Sequence, residues 1–272
     1  VKHVEVEGLR IAYERAGEGP PLVLLQGFVG DARSTWRRQI DDFSDEFTVV
    51  AWDVPGAGGS SDPPDSFTLP DYAECLAGFL DAVGLESVHL VGLSFGGALA
   101  LEFYRRNPRT VMSLVLASAY AGWAGSLPSE IVEQRLEQSL RASHLPPEEF
   151  VATMLPTMFS SAGAKERVDE FAASLLEFHP AGFRAMALAC TADLRDVLPE
   201  VQVPTLLLYG EEDVRAPLSV GQALHAAIPH SDLVVLPGVG HVSSVDAAER
   251  FNLEVRPFLR RAHPRPPPSP KS

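Results

Sequence analysis

Gly92-Leu93-Ser94-Phe95-Gly96 is the stretch on which the reading of this chain turns. Before it, Ser87-Val88-His89-Leu90-Val91 has the short, β-branched, apolar make-up of a buried strand. After it, Gly97-Ala98-Leu99-Ala100-Leu101-Glu102-Phe103-Tyr104 carries helix formers at helical apolar spacing. A serine at a sharp strand-to-helix junction is held in strained backbone geometry. Glycines two residues to either side remove the Cβ atoms that would strike the neighbouring strand and helix. The hydroxyl is thereby exposed, and the next N–H stands at a helix N-terminus, where negative charge is stabilised. Such a position suits a nucleophile, although the pentapeptide alone also fits a chance glycine-rich turn.

A serine hydroxyl is a weak nucleophile at neutral pH and needs a base, which in turn needs an orienting acid. Pro204-Thr205-Leu206-Leu207-Leu208-Tyr209 reads as a second buried strand, and Gly210-Glu211-Glu212-Asp213 follows it. Asp232-Leu233-Val234-Val235-Leu236 reads as a third, followed by Pro237-Gly238-Val239-Gly240-His241. In a parallel sheet the loops after these strands emerge on one edge, where ligands bind in open α/β folds. Ser94, Asp213 and His241, in that chain order, are thus expected at one rim.

With those residues in view, the chain resembles the α/β-hydrolase superfamily from about Val4 to Leu259. Further marks are Leu22-Val23-Leu24-Leu25-Gln26-Gly27-Phe28, similar to the family's oxyanion strand and loop, and Asp53-Val54-Pro55-Gly56-Ala57-Gly58-Gly59-Ser60, similar to its D-x-x-G-x-G-x-S turn. The resemblance implies Ser94 as nucleophile, His241 as base and Asp213 as its orienter, with the backbone N–H groups of Phe28 and Phe95 as the oxyanion hole. Asp213 matches the G-x-x-D-x-x-x-P pattern that ends at Pro217, which Glu211 and Glu212 do not. The family usually has His before the oxyanion-loop glycine, whereas Gln26 stands here. An amide can still hydrogen-bond and hold the loop.

Strands are expected at His3–Val6, Arg10–Arg15, Leu22–Leu25, Phe47–Trp52, Val88–Leu93, Val111–Ala117, Pro204–Tyr209 and Asp232–Leu236. Helices are expected near Thr35–Phe43, Leu69–Val83, Phe95–Arg105, Leu218–Ala227 and Val245–Arg261. The alternation predicts an α/β fold with a mostly parallel eight-stranded sheet flanked by helices. From Gly122 to Asp193 no strand pattern occurs, and Pro128, Pro146-Pro147, Pro156 and Pro180 punctuate helices. This segment looks like the family's all-helical cap, giving a core of 1–121 and 194–261, a cap of 122–193 and an unstructured tail of 262–272. Trp123, Met154, Met158, Phe159, Phe183 and Met186 in the cap, with Gln26, are the expected substrate-pocket residues. Many of the cap's large apolar residues will simply fasten it to the core. His89, alternating with apolar neighbours, reads as a satisfied core histidine, and Asp53 as a carboxylate that ties its own turn.

Composition narrows the rest. A chain of 272 residues with 46% apolar content suits one domain with an insertion. A formal charge of −14 disfavours nucleic acid and anionic lipid as partners, and no apolar run reaches the ~20 residues that span a bilayer. No secretion signal is visible, and the two cysteines give no disulfide framework, which suits a reducing cytoplasm. A monomer or homodimer acting on a small molecule is expected. Gly56-Ala57-Gly58-Gly59-Ser60-Ser61 does not fit a dinucleotide loop, because Ser61 replaces the third glycine and Pro63-Pro64 blocks the helix that should follow. No phosphate loop or metal-binding helix motif is present, and no metal or cofactor is expected.

The expected reaction is hydrolysis of a carboxylic ester or lactone of small to medium hydrophobic character, through an acyl-enzyme on Ser94. Epoxide hydrolases and haloalkane dehalogenases need a carboxylate where Ser94 stands. The branch that cleaves carbon–carbon bonds of dienoic acids is less similar at the oxyanion loop. Enol-lactonases look similar around Ala192-Asp193-Leu194-Arg195 and Val203-Pro204-Thr205. Cofactor-free perhydrolases and haloperoxidase-like enzymes share the triad, and a ligand receptor on the same scaffold with weak turnover is the alternative of another class.

Overall fold

The structure, a computed structural model, describes residues 1–263 except 162 and 164. The expected tail therefore lies outside the described residues apart from Ala262 and His263, and Ala262 belongs to the last helix rather than to a tail.

Eight strands form one sheet: β1 Lys2–Val6, β2 Leu9–Ala16, β3 Pro21–Leu25, β4 Thr48–Trp52, β5 Val88–Leu93, β6 Val111–Ala117, β7 Thr205–Gly210 and β8 Ser231–Leu236. Their order is β1-β2-β4-β3-β5-β6-β7-β8. β1, β2 and β4 pair antiparallel, and every other neighbouring pair is parallel. Glu7 at φ 49° and Gly8 at φ 86° make the tight turn between β1 and β2. β4, β5 and β7 are buried along their whole length, which is why they read as nearly continuous apolar runs, interrupted in β5 by His89.

Helices cover both faces. Around the sheet stand α1 Ala32–Phe43, α2 Leu69–Ala82, α3 Phe95–Arg106, α8 Leu218–Ala227, α9 Ser243–Asp246 and α10 Ala248–Ala262, with α2 against α3 and α1 against α9 and α10. Asp31 caps α1 by accepting from the Ser34 N–H at 2.6 Å while its own N–H donates to the Ser34 hydroxyl at 3.1 Å. One turn of this topology places the site. The chain runs from β3 outward to β4, then crosses back to β5 on the other side of β3. The loops after β3 and β5 therefore diverge at a switch point, the crevice in which such sheets bind ligands.

Between β6 and β7 the described residues form helices only: α4 Ser129–Ala142, α5 Pro147–Met154, α6 Lys165–Leu175 and α7 Pro180–Ala189, with short 3₁₀ turns at Leu155–Thr157 and Leu198–Glu200. The prolines that punctuate the sequence stand at or just before the first residue of α4, α5 and α7. The two ends of this insert meet. Trp123 N–H donates to Cys190 O at 2.7 Å and Leu194 N–H to Ala121 O at 2.9 Å. Gly122 sits at φ +67°, and a Cβ there would lie 1.8 Å from Ala192 O.

The single helix expected over Val245–Arg261 is instead α9 and α10, broken at Ala247 (φ −138°, ψ 53°). Asp246 explains the break. Its carboxylate accepts the N–H groups of Gly240 at 2.7 Å and Ser160 at 3.0 Å, so the turn is held by partners outside the helix.

His89 is fully buried and pairs with the Ser113 hydroxyl at 2.7 Å, with His263 beyond it at 3.4 Å. Burial first, and then the nearby His263, lower its pKa to about 4. The folded value lies below the ordinary one, so between pH 6.5 and 4 the unfolded chain binds a proton that the folded chain refuses. Stability from this residue is full above pH 6.5 and has fallen by ~2–3 kcal/mol at pH 4.5. His89→Gln removes the titration and keeps a hydrogen-bonding group for Ser113. Its melting temperature relative to the wild type should therefore rise by about 5 °C on going from pH 7.5 to 4.5, read by calorimetry. A pH-independent offset between the two proteins counts against this account.

Candidate active site

Ser94 follows β5 directly and caps α3 at φ 52°, ψ −109°, a conformation that a non-glycine residue holds only when its surroundings impose it. The surroundings are visible. A Cβ on Gly92 would come within 2.3 Å of Gly96 O, and one on Gly96 within 2.2 Å of Leu25 O, so the start of α3 is pressed against the end of β3. Ser94 N–H donates to Ala117 O at 2.8 Å, which fastens the elbow to β6. The N–H of Phe95, first in α3, donates no hydrogen bond among the described residues, nor does that of Phe28. The Gln26 side-chain amide donates to Gly30 O at 2.8 Å and so closes the loop that carries Phe28.

Asp213 lies just past β7 and His241 past β8. His241 Nδ1 meets both carboxylate oxygens of Asp213, at 3.0 and 2.9 Å. Asp213 Oδ1 also accepts the N–H groups of Arg215 at 2.9 Å and Ala216 at 2.8 Å. Burial pushes the Asp213 carboxyl upward, but the charge and hydrogen bond of His241 and the Ala216 N–H outweigh it and hold it below the ordinary carboxylate range. The carboxylate is therefore ionised at neutral pH, and a proton on His241 Nδ1 has a fixed acceptor. His241 Nε2 makes no hydrogen bond among the described residues.

Ser94 and His241 line the same cavity, together with Gly27, Phe28, Met158 and Phe171. It is small, about 10 Å³. No hydrogen bond joins the serine hydroxyl to the imidazole among the described residues. Such bonds are commonly long in ligand-free sites and tighten in the substrate complex.

The side chains expected in one pocket are spread over several places. Met158 lines the cavity at Ser94. Phe183 and Met186 line a second cavity beside Gly30, Gly56 and His179. Trp123 and Met154 line a third, of about 230 Å³. Phe159 packs edge-on against Phe171 at 5.3 Å, and Gln26 serves the loop. Phe28 lines the first two of these cavities, and its ring stacks on Phe183 at 5.1 Å and meets Trp123 edge-on at 6.1 Å. Phe171, one of the cap's large apolar residues, lines the small cavity; Val242 beside it, and Tyr120, Arg135 and Arg215 near the large one, did not stand out as site residues in the sequence. Asp53 holds its turn as read, accepting from Ala32 N–H and Gly59 N–H at 2.8 Å each, while burial pushes its carboxyl up to about 6.

Among the described residues no cluster of His, Cys, Asp and Glu is arranged to hold a metal ion, and no helix is long and apolar enough to cross a membrane. Comparison with known proteins agrees with the geometry. Residues 20–156 match the family model described as alpha/beta hydrolase fold, and residues 189–267 one described as TAP-like protein. The chain is 30% identical to a putative carbamate hydrolase of Cronobacter turicensis, covering 90% of this chain and 92% of that one. It is 32% identical to a 2-hydroxy-6-oxononadienedioate/2-hydroxy-6-oxononatrienedioate hydrolase of Burkholderia vietnamiensis, over 93% and 92%. The fold superposes on a thermophilic esterase of Thermogutta terrifontis, solved with malate bound, at a TM-score of 0.89 and 29% identity, covering 97% of this chain and all of that one. The lower ranking that the oxyanion loop gave to dienoic-acid hydrolases is thus not matched by overall identity. With the sheet order, the strained serine elbow, the coupled Asp213 and His241 and these matches together, the chain belongs to the α/β-hydrolase family.

Proposed function

We propose that the protein is a serine hydrolase that transfers the acyl group of a carboxylic ester or lactone to water through an acyl-enzyme on Ser94. The observation that carries this reading is that His241, doubly bonded to Asp213, lines the same cavity as the strained Ser94. His241 Nε2 takes the hydroxyl proton as Ser94 Oγ attacks the carbonyl carbon. The N–H groups of Phe28 and Phe95 receive the negative charge that develops on the carbonyl oxygen. Collapse expels the alcohol, protonated by His241, and water then attacks the acyl-enzyme by the same steps. Asp213 fixes the imidazole tautomer and stabilises its cation.

A cavity of about 10 Å³ holds no ester, so substrate binding requires lining side chains such as Met158 and Phe171 to move. A fluorophosphonate, which phosphonylates activated serines, should add one equivalent to the peptide containing Ser94. An unmodified peptide in folded protein discards the assignment. Cleavage of a carbon–carbon bond beside a ketone is the second reading, favoured by the 32% identical dioate hydrolase. Turnover of such a ketone in preference to esters selects it. Both buried cysteines, Cys75 and Cys190, are free thiols, which supports action in a reducing compartment.

Gln26 offers a graded test. Gln26→Leu deletes the bond to Gly30 O and leaves the Phe28 N–H less firmly aimed. Losing an oxyanion donor outright costs ~10²–10³ in kcat. Loosening it should cost about 10- to 100-fold in kcat with little change in KM, measured by steady-state ester hydrolysis. An unchanged kcat removes the loop bond from the catalytic account.

A further inference from the structure

The large cavity of about 230 Å³ lies between α4, the α5 end and the loop after β7, and its polar lining is Arg135, Gln138, Ser139, Thr153, Thr157 and Arg215. Arg215 is the centre of it. Its guanidinium donates to Thr157 Oγ1 at 2.9 Å and lies 5.5 Å over the ring of Phe28, a residue that also lines the Ser94 cavity. Its backbone is held in place from two sides: Tyr120 OH and Arg135 Nη2, the latter at 2.8 Å, both donate to Arg215 O. Arg135 Nη1 in turn donates to Tyr120 OH at 2.9 Å.

No carboxylate forms an ion pair with Arg215 or Arg135 among the described residues, in a chain whose acidic groups exceed its basic ones by 14. Asp213, two residues away, is occupied by His241 and by backbone N–H groups. Two half-buried cations facing one cavity with neutral polar neighbours are costly unless an anion joins them. Burial lowers the Arg215 pKa from its ordinary value, the mark of a cation held without full compensation. A planar guanidinium with open donors fits a carboxylate bidentately.

We propose that this cavity is an anion subsite in which Arg215, with Arg135 beside it, binds a carboxylate of the substrate, so that the ester or lactone hydrolysed is itself an acid. The inference rests on the reading of Ser94 as the nucleophile, and the two places are neighbours: Arg215 follows Asp213, the partner of His241, by two residues and touches Phe28, which lines the Ser94 cavity. With the reacting carbonyl at Ser94 and the carboxylate at Arg215, the substrate is a half-ester of a dicarboxylic acid or a lactone bearing a carboxylate arm. Overall negative charge repels such substrates from the rest of the surface, leaving the paired arginines as the place that receives them.

Two measurements test it. Glutarate titrated into the Ser94→Ala protein should give saturable heat by calorimetry, and Arg215→Met should weaken that binding by about 30-fold, the loss expected for charge-assisted hydrogen bonds. Arg215→Lys, which keeps the charge without the fork, should fall between. Mono-p-nitrophenyl glutarate should exceed p-nitrophenyl valerate in kcat/KM by at least about tenfold in the wild type, and Arg215→Met should remove that preference. Glutarate binding that is absent, or equal in the Arg215→Met protein, overturns the subsite whatever Ser94 does. Binding with no preference for the acidic ester overturns the substrate assignment. If neither ester is hydrolysed, the serine-esterase reading fails while the glutarate titration still decides the subsite.

Discussion

Ser94→Ala is expected to lower kcat/KM for p-nitrophenyl butyrate by about 10⁴- to 10⁶-fold while moving the melting temperature by less than about 2 °C. The two halves of this expectation have separate physical grounds. Without the hydroxyl no acyl-enzyme forms, and the residual rate is what the oxyanion donors and substrate positioning supply to direct attack by water. Stability is spared because Ser94 Oγ makes no hydrogen bond among the described residues, and because alanine meets the same positive-φ strain as serine. What imposes the conformation is the pair of glycines and the Ser94 N–H bond to Ala117 O, and all of these survive the change. Retention of wild-type turnover in a pure sample would remove Ser94 from the mechanism.

Gly96→Ala should show the reverse economy, damaging fold and chemistry together. Its new methyl would stand 2.2 Å from Leu25 O and 2.6 Å from Gln26 O. Both obstacles are backbone atoms, fixed by the β3 ladder and by the loop to Phe28, so neither can turn aside as a side chain would. Relief requires α3 to retreat from β3, which costs about 3 kcal/mol and lowers the melting temperature by about 6–12 °C. The same retreat separates the Phe95 N–H from the Phe28 N–H, the two groups assigned to one oxyanion. Turnover should fall by at least about 10³-fold in the protein that remains folded. Calorimetry and kinetics on one preparation check both figures, and a variant near wild type in each contradicts the tight contact.

The contrast between what was legible in the sequence and what was not follows from the range of the forces involved. Strands β3 to β7 announce themselves because burial on both faces demands unbroken apolar runs, and the elbow because only glycine tolerates its contacts. Asp213 and His241 are legible because each follows a strand of the same parallel sheet, so topology alone carries them to one rim. The break at Ala247 is not, since Asp246 bonds to Ser160 across the tertiary structure and no local pattern records it. The division of the pocket is equally hidden: size and apolarity tell that Trp123, Phe183 and Met158 are buried, and only the tertiary packing decides that they line different spaces. Arg135 and Arg215 belong to no motif, and only a helix of the insert and a loop of the core bring them to one cavity.

The meeting of Ala121, Gly122 and Ala192 has a consequence for how such a molecule can diversify. Seventy-odd residues leave the sheet and return to it through a doorway one peptide wide, so their excision would leave a gap that a short linker closes at small entropic cost. A different helical cassette could be spliced at that doorway while the register of β6 and β7 stays as it is. Sheet and insert are thus separable pieces of one chain, joined where Ala121 meets Leu194 and Trp123 meets Cys190.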